Sequence, residues 1–312
     1  MTHAGNKNTH AQNGNGTQQP ATQASAARKR TDRSETNYPA LPRMAFSCTL
    51  RSEFIRMRTS PLVAAHLACA LAAGSACGAY FAFAPWNPAQ GADAYAQFLG
   101  ALMPLMAGIV CGLAFDAERE AGGMANLTGV PSRPTAVAAK IAMLFLTGAA
   151  TLALAIGLFA LILTLAGRSA LNLAVYAWCI AGLALGSAPL YILSSWLALR
   201  FGRNAAIGVG AVGLLLAFFS IGGLAHGLMT GELTGAYPSI LGYIPLTWSA
   251  RLGSLGVENG IVSLSLGTHI EGSAMNVAAQ VHLQTLFTAG FCLALSAAAL
   301  IALLAWFNRF EE

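Results

Sequence analysis

Apolar positions in this chain gather into six long runs, at residues 62–83, 95–115, 137–166, 171–198, 205–228 and 283–307, with the polar positions collected between them. A hydrocarbon layer about 30 Å thick needs roughly 20 apolar residues at 1.5 Å rise each. The pattern therefore predicts six membrane-spanning helices in an all-α integral membrane protein. Pro104 and Pro189 fall inside the second and fourth runs, where neighbouring helices satisfy the backbone that a proline frees. Little more than Gly167 and Arg168 separates the third run from the fourth, which predicts a tight hairpin. Gly208, Gly210 and Gly213 in the fifth run allow close helix contact.

A different periodicity precedes the first run. Phe46, Leu50, Phe54 and Met57 recur at helical spacing, while Arg51, Glu53, Arg56 and Arg58 fall to the flanks and back. That is the pattern of a basic amphipathic helix lying in the headgroup layer, and it makes Phe46, Leu50, Arg51, Phe54 and Arg58 candidate interface residues of a segment at 43–60. A straight extension of the first span is the competing reading. Pro61 favours a break, because the residue before a proline avoids the helical region. Residues 1–42 hold mainly Asn, Thr, Gln, Ala and Ser with a basic cluster at Arg28, Lys29 and Arg30, a composition that buries too little to fold and predicts a disordered tail. It lacks the short apolar core of a secretory signal. Met44 is an alternative start if the reading frame extends too far upstream.

Two polar interruptions are too large to be plain turns. The first, 116–140, holds Asp116, Glu118, Arg119, Glu120, Arg133 and Lys140. It predicts a short helix capped at Asp116, with Ala117, Ala121, Met124, Ala125 and Thr128 on one face and a stop at Gly129 and Pro131. The second, 229–282, carries Tyr237, Tyr243 and Trp248 with Pro238 and Pro245, then an apolar stretch from Ile261 to Leu266. Aromatic residues of this kind favour the membrane boundary, so short re-entrant or surface helices are expected before the last span. A small external fold is the alternative.

Composition agrees with the pattern: 56% of the 312 residues are hydrophobic and 9% charged, against roughly 25% charged in soluble domains. The net charge of +5 does not point to nucleic acid, because the basic residues concentrate before residue 60, ahead of an apolar domain. Arg43, Arg51, Arg56 and Arg58, then Arg119, Arg133 and Lys140, then Arg200 and Arg203, then Arg309 all fall on one side of the six spans, with Arg168 and Arg251 on the other. The excess of basic residues on the inner side places both termini and the 116–140 island in the cytoplasm, in a multi-pass protein of the cell membrane. The six cysteines contain no C-x-x-C pair and read as small apolar residues.

Candidate chemistry is sparse. Within the runs ionisable residues are almost absent, with His66 near the start of the first and His226 at the outer end of the fifth, which argues against a proton- or sodium-driven carrier, since such pathways are built from intramembrane charges. An intramembrane serine hydrolase would draw on Ser187, Ser194 and Ser195 with His226, without any G-x-S-x-G sequence. No H-E-x-x-H metal motif and no G-x-x-x-x-G-K-[ST] phosphate loop is present, and the only lysine after residue 29, Lys140, is followed by Ile141. Transport driven by ATP would need a motor on another chain.

The stretch Glu118-Arg119-Glu120-Ala121-Gly122, the turn Val130-Pro131-Ser132-Arg133 and the pair Ala139-Lys140 resemble the cytoplasmic loop of ABC-2-type exporter permeases, most closely the lantibiotic-immunity permeases. The order of parts is similar too: a basic amphipathic segment, six spans and a long fifth connection, with Ile244 to Arg251 a weaker match. The resemblance covers residues 45–312. It implies a permease domain at 61–312 without catalytic residues, cofactor or metal of its own. It further implies a separate ABC ATPase carrying ATP and Mg, and coupling to it through the interfacial helix and a segment at 116–136. Asp116, Glu118, Arg119, Glu120, Gly122 and Arg133 would carry that coupling. A second permease subunit, identical or related, membrane lipid and a cationic peptide expelled for self-immunity or resistance complete the implied set. A non-transporting scaffold or sensor subunit shares the same topology.

Overall fold

The computed structural model describes residues 45–169, 171–220, 228, 230, 232–233, 240–268 and 272–309. The tail at 1–42 and His226 lie outside them. All regular structure among the described residues is helical. A short α1 (Phe46–Arg58) leads into α2 (Pro61–Phe83), α3 (Pro88–Gly122), the single turn α4 (Ala125–Thr128), α5 (Arg133–Leu165), α6 (Leu173–Phe201) and α7 (Arg203–Ser220). Two 3₁₀ turns, Ile240–Tyr243 and Pro245–Thr247, precede α8 (Trp248–Thr268) and α9 (Gly272–Phe307). Six of these, α2, α3, α5, α6, α7 and α9, are long and apolar enough to cross a membrane.

Helix starts follow local chemistry. The Ser60 hydroxyl accepts from the Leu62 amide at 3.3 Å, ahead of Pro61 in the first turn, and Asn87 Oδ1 accepts from the Ala89 amide at 2.9 Å, ahead of Pro88. Asn172 Oδ1 accepts from the Val175 amide at 3.0 Å. These side chains satisfy amide donors that a helix leaves open at its start. The α6 helix passes into α7 through Gly202 alone, at φ +90°, a conformation that glycine adopts without steric cost.

The α1 helix breaks from α2 at Ser60, as the proline predicts. Thr49 and Glu53 are its buried residues, Leu50 and Met57 are half-buried, and Phe46 and Phe54 are exposed. The island is built differently from the expectation. No helix starts at Asp116; instead α3 continues through it to Gly122, well beyond the predicted end at 115. The chain reverses at Gly123 and Met124, both left-handed at φ +56° and +62°. Gly123 and Met124 amides donate to Arg119 and Glu118 carbonyls at 2.9 and 3.2 Å. Met124 and Leu127 are buried beneath this turn, so Met124 faces the core and not a shared surface with Ala117 and Ala121.

The larger departure is α8. The segment expected to form short re-entrant or surface helices holds a 21-residue helix packed among α3, α6 and α9. Ser249 lies against Gly186, Leu252 against Gly182, Cys179 against Gly256 and Val175 against Gly260, so α8 runs antiparallel to α6. Its first turn meets the middle of α6 and its last turns approach the start of α6. α8 thus lies along the start and middle of α6. Hydropathy conceals it because Arg251, Ser254, Glu258 and Asn259 interrupt the apolar pattern, yet protein surrounds Ser254 and Glu258 completely.

Candidate functional site

Where α1, α3 and α5 converge, four charged side chains close a network. Lys140 Nζ donates to Glu118 Oε1 at 2.6 Å and to Glu53 Oε2 at 3.3 Å. Arg56 donates to Glu53 Oε1 at 2.8 Å and, through its other terminal nitrogen, to Glu118 Oε1. Asn126 Nδ2 in α4 donates to Glu118 Oε2 at 3.0 Å. Glu118 is 2% exposed, Lys140 6% and Glu53 8%. Burial disfavours the Arg56 guanidinium, but Glu53 and then Glu118 more than offset this and hold its pKa above the ordinary arginine value.

Two acids and two bases leave this cluster with no net charge. Removing charges from water costs several kcal/mol per ion, offset only when partners are close and remaining hydrogen bonds are made. Here the geometry supplies both. The consequence is mechanical: α1, α3, α4 and α5 are tied at one point, immediately under the exposed α3–α5 turn.

The other expected coupling residues are distributed around that point. Arg119 Nη2 donates to the Leu199 carbonyl at 2.6 Å, fastening α3 to the end of α6. Asp116 Oδ2 pairs with Arg203 Nη1 at 3.0 Å, joining α3 to α7, and Arg133 Nε donates to the Thr128 carbonyl at 2.9 Å. Only Glu120 and Gly122 of the six are fully at the surface, beside Ala121, Gly123, Ala125, Asn126, Gly129 and Pro131. Because the Asp116–Arg203 pair is partly solvated, Asp116→Asn is expected to lower stability by less than about 1 kcal/mol. Thermal unfolding of the purified variant measures this, and a larger loss would mean the pair is a structural tie.

Sequence reading missed the partnership of Glu53, Arg56, Lys140 and Asn126 with Glu118. A lysine eight residues into an otherwise apolar helix was the available signal. It missed a second cluster entirely. Asp93 and Gln97 in α3 meet Ser254 and Glu258 in α8, all four buried. Gln97 Nε2 donates to Asp93 Oδ2 at 2.8 Å and to Ser254 Oγ at 3.2 Å, while Ser254 Oγ lies 2.6 Å from Asp93 Oδ1 and 3.4 Å from Glu258 Oε1. The spacing of four residues within each pair was its only trace.

Of the three serines considered for hydrolysis, Ser187 donates to the Ala184 carbonyl at 2.8 Å, Ser195 donates to Cys111 Sγ at 3.5 Å, and Ser194 is buried. His66 is buried with Nδ1 2.7 Å from the Leu62 carbonyl. At the opposite end of the bundle Arg168 donates to the Ala84 and Trp86 carbonyls, joining the α5–α6 turn to the α2–α3 turn.

A family model described as ABC-2 family transporter protein matches residues 49–221. The chain belongs to the ABC-2 transporter family. The match opens within α1 and closes just past α7, so it contains every member of the ion network. No curated protein matches the chain. The permease is thus a multi-pass membrane subunit of an ABC transporter, of a family that transports without itself being catalytic and that implies an ABC ATPase as partner.

Proposed function

We propose that this permease belongs to an exporter whose separate ATPase docks on the α3–α5 turn, through the exposed lip from Glu120 to Pro131. The ion network beneath the lip carries this reading. A displacement of the turn moves α3, and through Glu118 it moves α5 and α1 with it, because Lys140 of α5 and Arg56 of α1 both pair with that carboxylate. Glu118 is then the residue that transmits movement, while Glu120, Gly122 and Asn126 make the contact. Asp116, Arg119 and Arg133 brace the lip against α7, α6 and α4.

In this reading the network end faces the cytoplasm with both termini, in the cell membrane, and two permease copies, identical or related, flank the transport path. The cargo is a cationic amphiphilic peptide of the lantibiotic kind, expelled as self-protection or resistance. Two observations support it: the sequence resemblance at residues 118–140, and an apolar cavity of about 590 Å³ among α6, Leu246 and α9, walled by Pro189, Trp196, Leu303 and Trp306. That volume lies within the roughly 300–1,000 Å³ of ligand sites and suits the apolar face of such a peptide.

Glu120→Arg combined with Ala121→Arg, both exposed and outside the ion network, is expected to abolish co-purification of the ATPase while membrane insertion and unfolding temperature stay at the parent values. Unchanged ATPase recovery would overturn the docking assignment. Cells carrying permease and ATPase should survive a lantibiotic that kills cells carrying the ATPase alone; equal killing would remove the cargo assignment and leave the docking one standing.

A further inference from the structure

Between α1, α2 and α5 lies a groove of about 780 Å³ that the network does not use. Its walls are apolar: Leu50, Phe54 and Met57 of α1 face Met143, Leu146 and Ala150 of α5. The α5 residues follow one another at 3, 4 and 7 positions, so they form a continuous stripe along that helix. Ser47, Arg51, Phe54 and Arg58 form the matching stripe on α1. Both arginines line the groove and are exposed. Neither has an acidic partner among the described residues; the acids of this region, Glu53 and Glu118, are buried in the network with Arg56 and Lys140. The Arg58 guanidinium lies 5.9 Å from the centre of the Phe54 ring, which leaves its charge uncompensated. The groove thus joins an apolar channel to two unneutralised cations about 10 Å apart along one helix axis.

We infer that this groove binds an anionic phospholipid, its acyl chain along Met143–Ala150 and its phosphodiester between Arg51 and Arg58. The argument is charge complementarity combined with position. The α2 span starts at Pro61, three residues after Arg58, so the arginines stand where a spanning helix meets headgroups and the apolar walls continue toward hydrocarbon. Basic residues beside a span attract anionic lipid. The N-terminal tail is a poor occupant, since its Arg28, Lys29 and Arg30 share the sign of the groove's rim. The inference rests on the cytoplasmic placement of this end and adds a ligand to it. A bound lipid would fill the space between α1 and α5, and so steady the helix that brings Glu53 and Arg56 to Glu118.

The test uses the full chain in phosphatidylcholine vesicles containing a trace of phosphatidylglycerol with a photoactivatable acyl chain, followed by peptide mapping of the cross-link. The expected label falls on Met143–Ala150. Unlabelled phosphatidylglycerol competes with it, whereas added phosphatidylcholine and inorganic phosphate do not. R51Q/R58Q should weaken competition by phosphatidylglycerol on the order of 25-fold, about fivefold per arginine, and R51K/R58K should keep most of it. Ala150→Trp, which fills the groove and leaves both arginines, should remove the label; it carries the test alone if R51Q/R58Q fails to fold. Labelling unchanged in either variant, equal competition by phosphatidylcholine or by inorganic phosphate, or labelling only after removal of residues 1–42 would overturn the site. ATPase association is not read in this experiment, so its outcome is separate from that of the docking assignment.

Discussion

Glu118→Gln will destabilise the permease by about 3–5 kcal/mol, the usual loss when one partner of a buried ion cluster is removed. The glutamine keeps the shape and one acceptor oxygen, but Lys140 and Arg56 then face a single acid, Glu53, and the cluster gains one uncompensated positive charge. Lys140→Met alone leaves the opposite imbalance and should cost a similar amount. Glu118→Gln with Lys140→Met restores neutrality and should recover most of the stability, since a buried pair exchanged for neutral groups of similar volume is often tolerated. Thermal unfolding of all three variants measures this. ATPase co-purification from the same preparations separates the two roles: in the double variant stability returns, but the tie from α3 to α5 does not, so transport should stay impaired. A single variant as stable as the parent would show that the network does not hold α1 in place.

Adding one methyl group at Gly100 or Gly186 will displace α8. A Cβ on Gly100 would stand 2.2 Å from Ala250 Cα, and one on Gly186 2.5 Å from Ser249 Cα, in both cases against backbone that has no rotamer to yield. Overpacking of a close contact typically costs about 1–3 kcal/mol, and here relief requires moving the helix, which would pull Ser254 and Glu258 away from Asp93 and Gln97. Gly157→Ala and Gly208→Ala are matched controls, because a Cβ at either position meets nothing within 4 Å. The expected result is lost transport and a lowered unfolding temperature for Gly100→Ala and Gly186→Ala, with the controls at parent values. Equal behaviour of the two pairs would mean that α8 is loosely seated.

The contrast between these two regions explains where reading the chain succeeds. Span number and approximate position were legible because a continuous apolar run of about 20 residues has few other uses. Span ends were not. The second run was expected to begin at 95 and end at 115, yet α3 extends from Pro88 to Gly122, because Asp93 and Glu118 are helix residues whose polar groups are satisfied by other helices. Hydropathy scores a side chain by its chemistry alone and so reads both as aqueous. For the same reason α8 was read as short re-entrant or surface helices and not as one long helix. Its apolar positions are diluted by polar residues that find partners in α3 and α9, such as Ser254 with Asp93 and Asn259 with Thr285.

The charged island was legible as a place, and the resemblance to ABC-2 permeases is supported by the match over residues 49–221. The division of labour inside it was not. Glu118 and Glu120 are both acids in the same five-residue stretch, and one is enclosed while the other is exposed. One residue of helical rotation is about 100°, and which face of α3 meets α1 and α5 depends on residues tens of positions away.

The order of residues alone determined that this chain holds six runs long and apolar enough to cross a membrane and that the helix breaks at Pro61. Those properties depend on runs of like residues and on local backbone chemistry, which neighbours in sequence settle between themselves. Only the tertiary structure decided that Glu53, Arg56, Glu118 and Lys140 neutralise one another, and that α8 lies within the bundle. A buried charge or a polar helix is stable only through partners brought by other segments, and the energy that decides its place is absent until those segments meet.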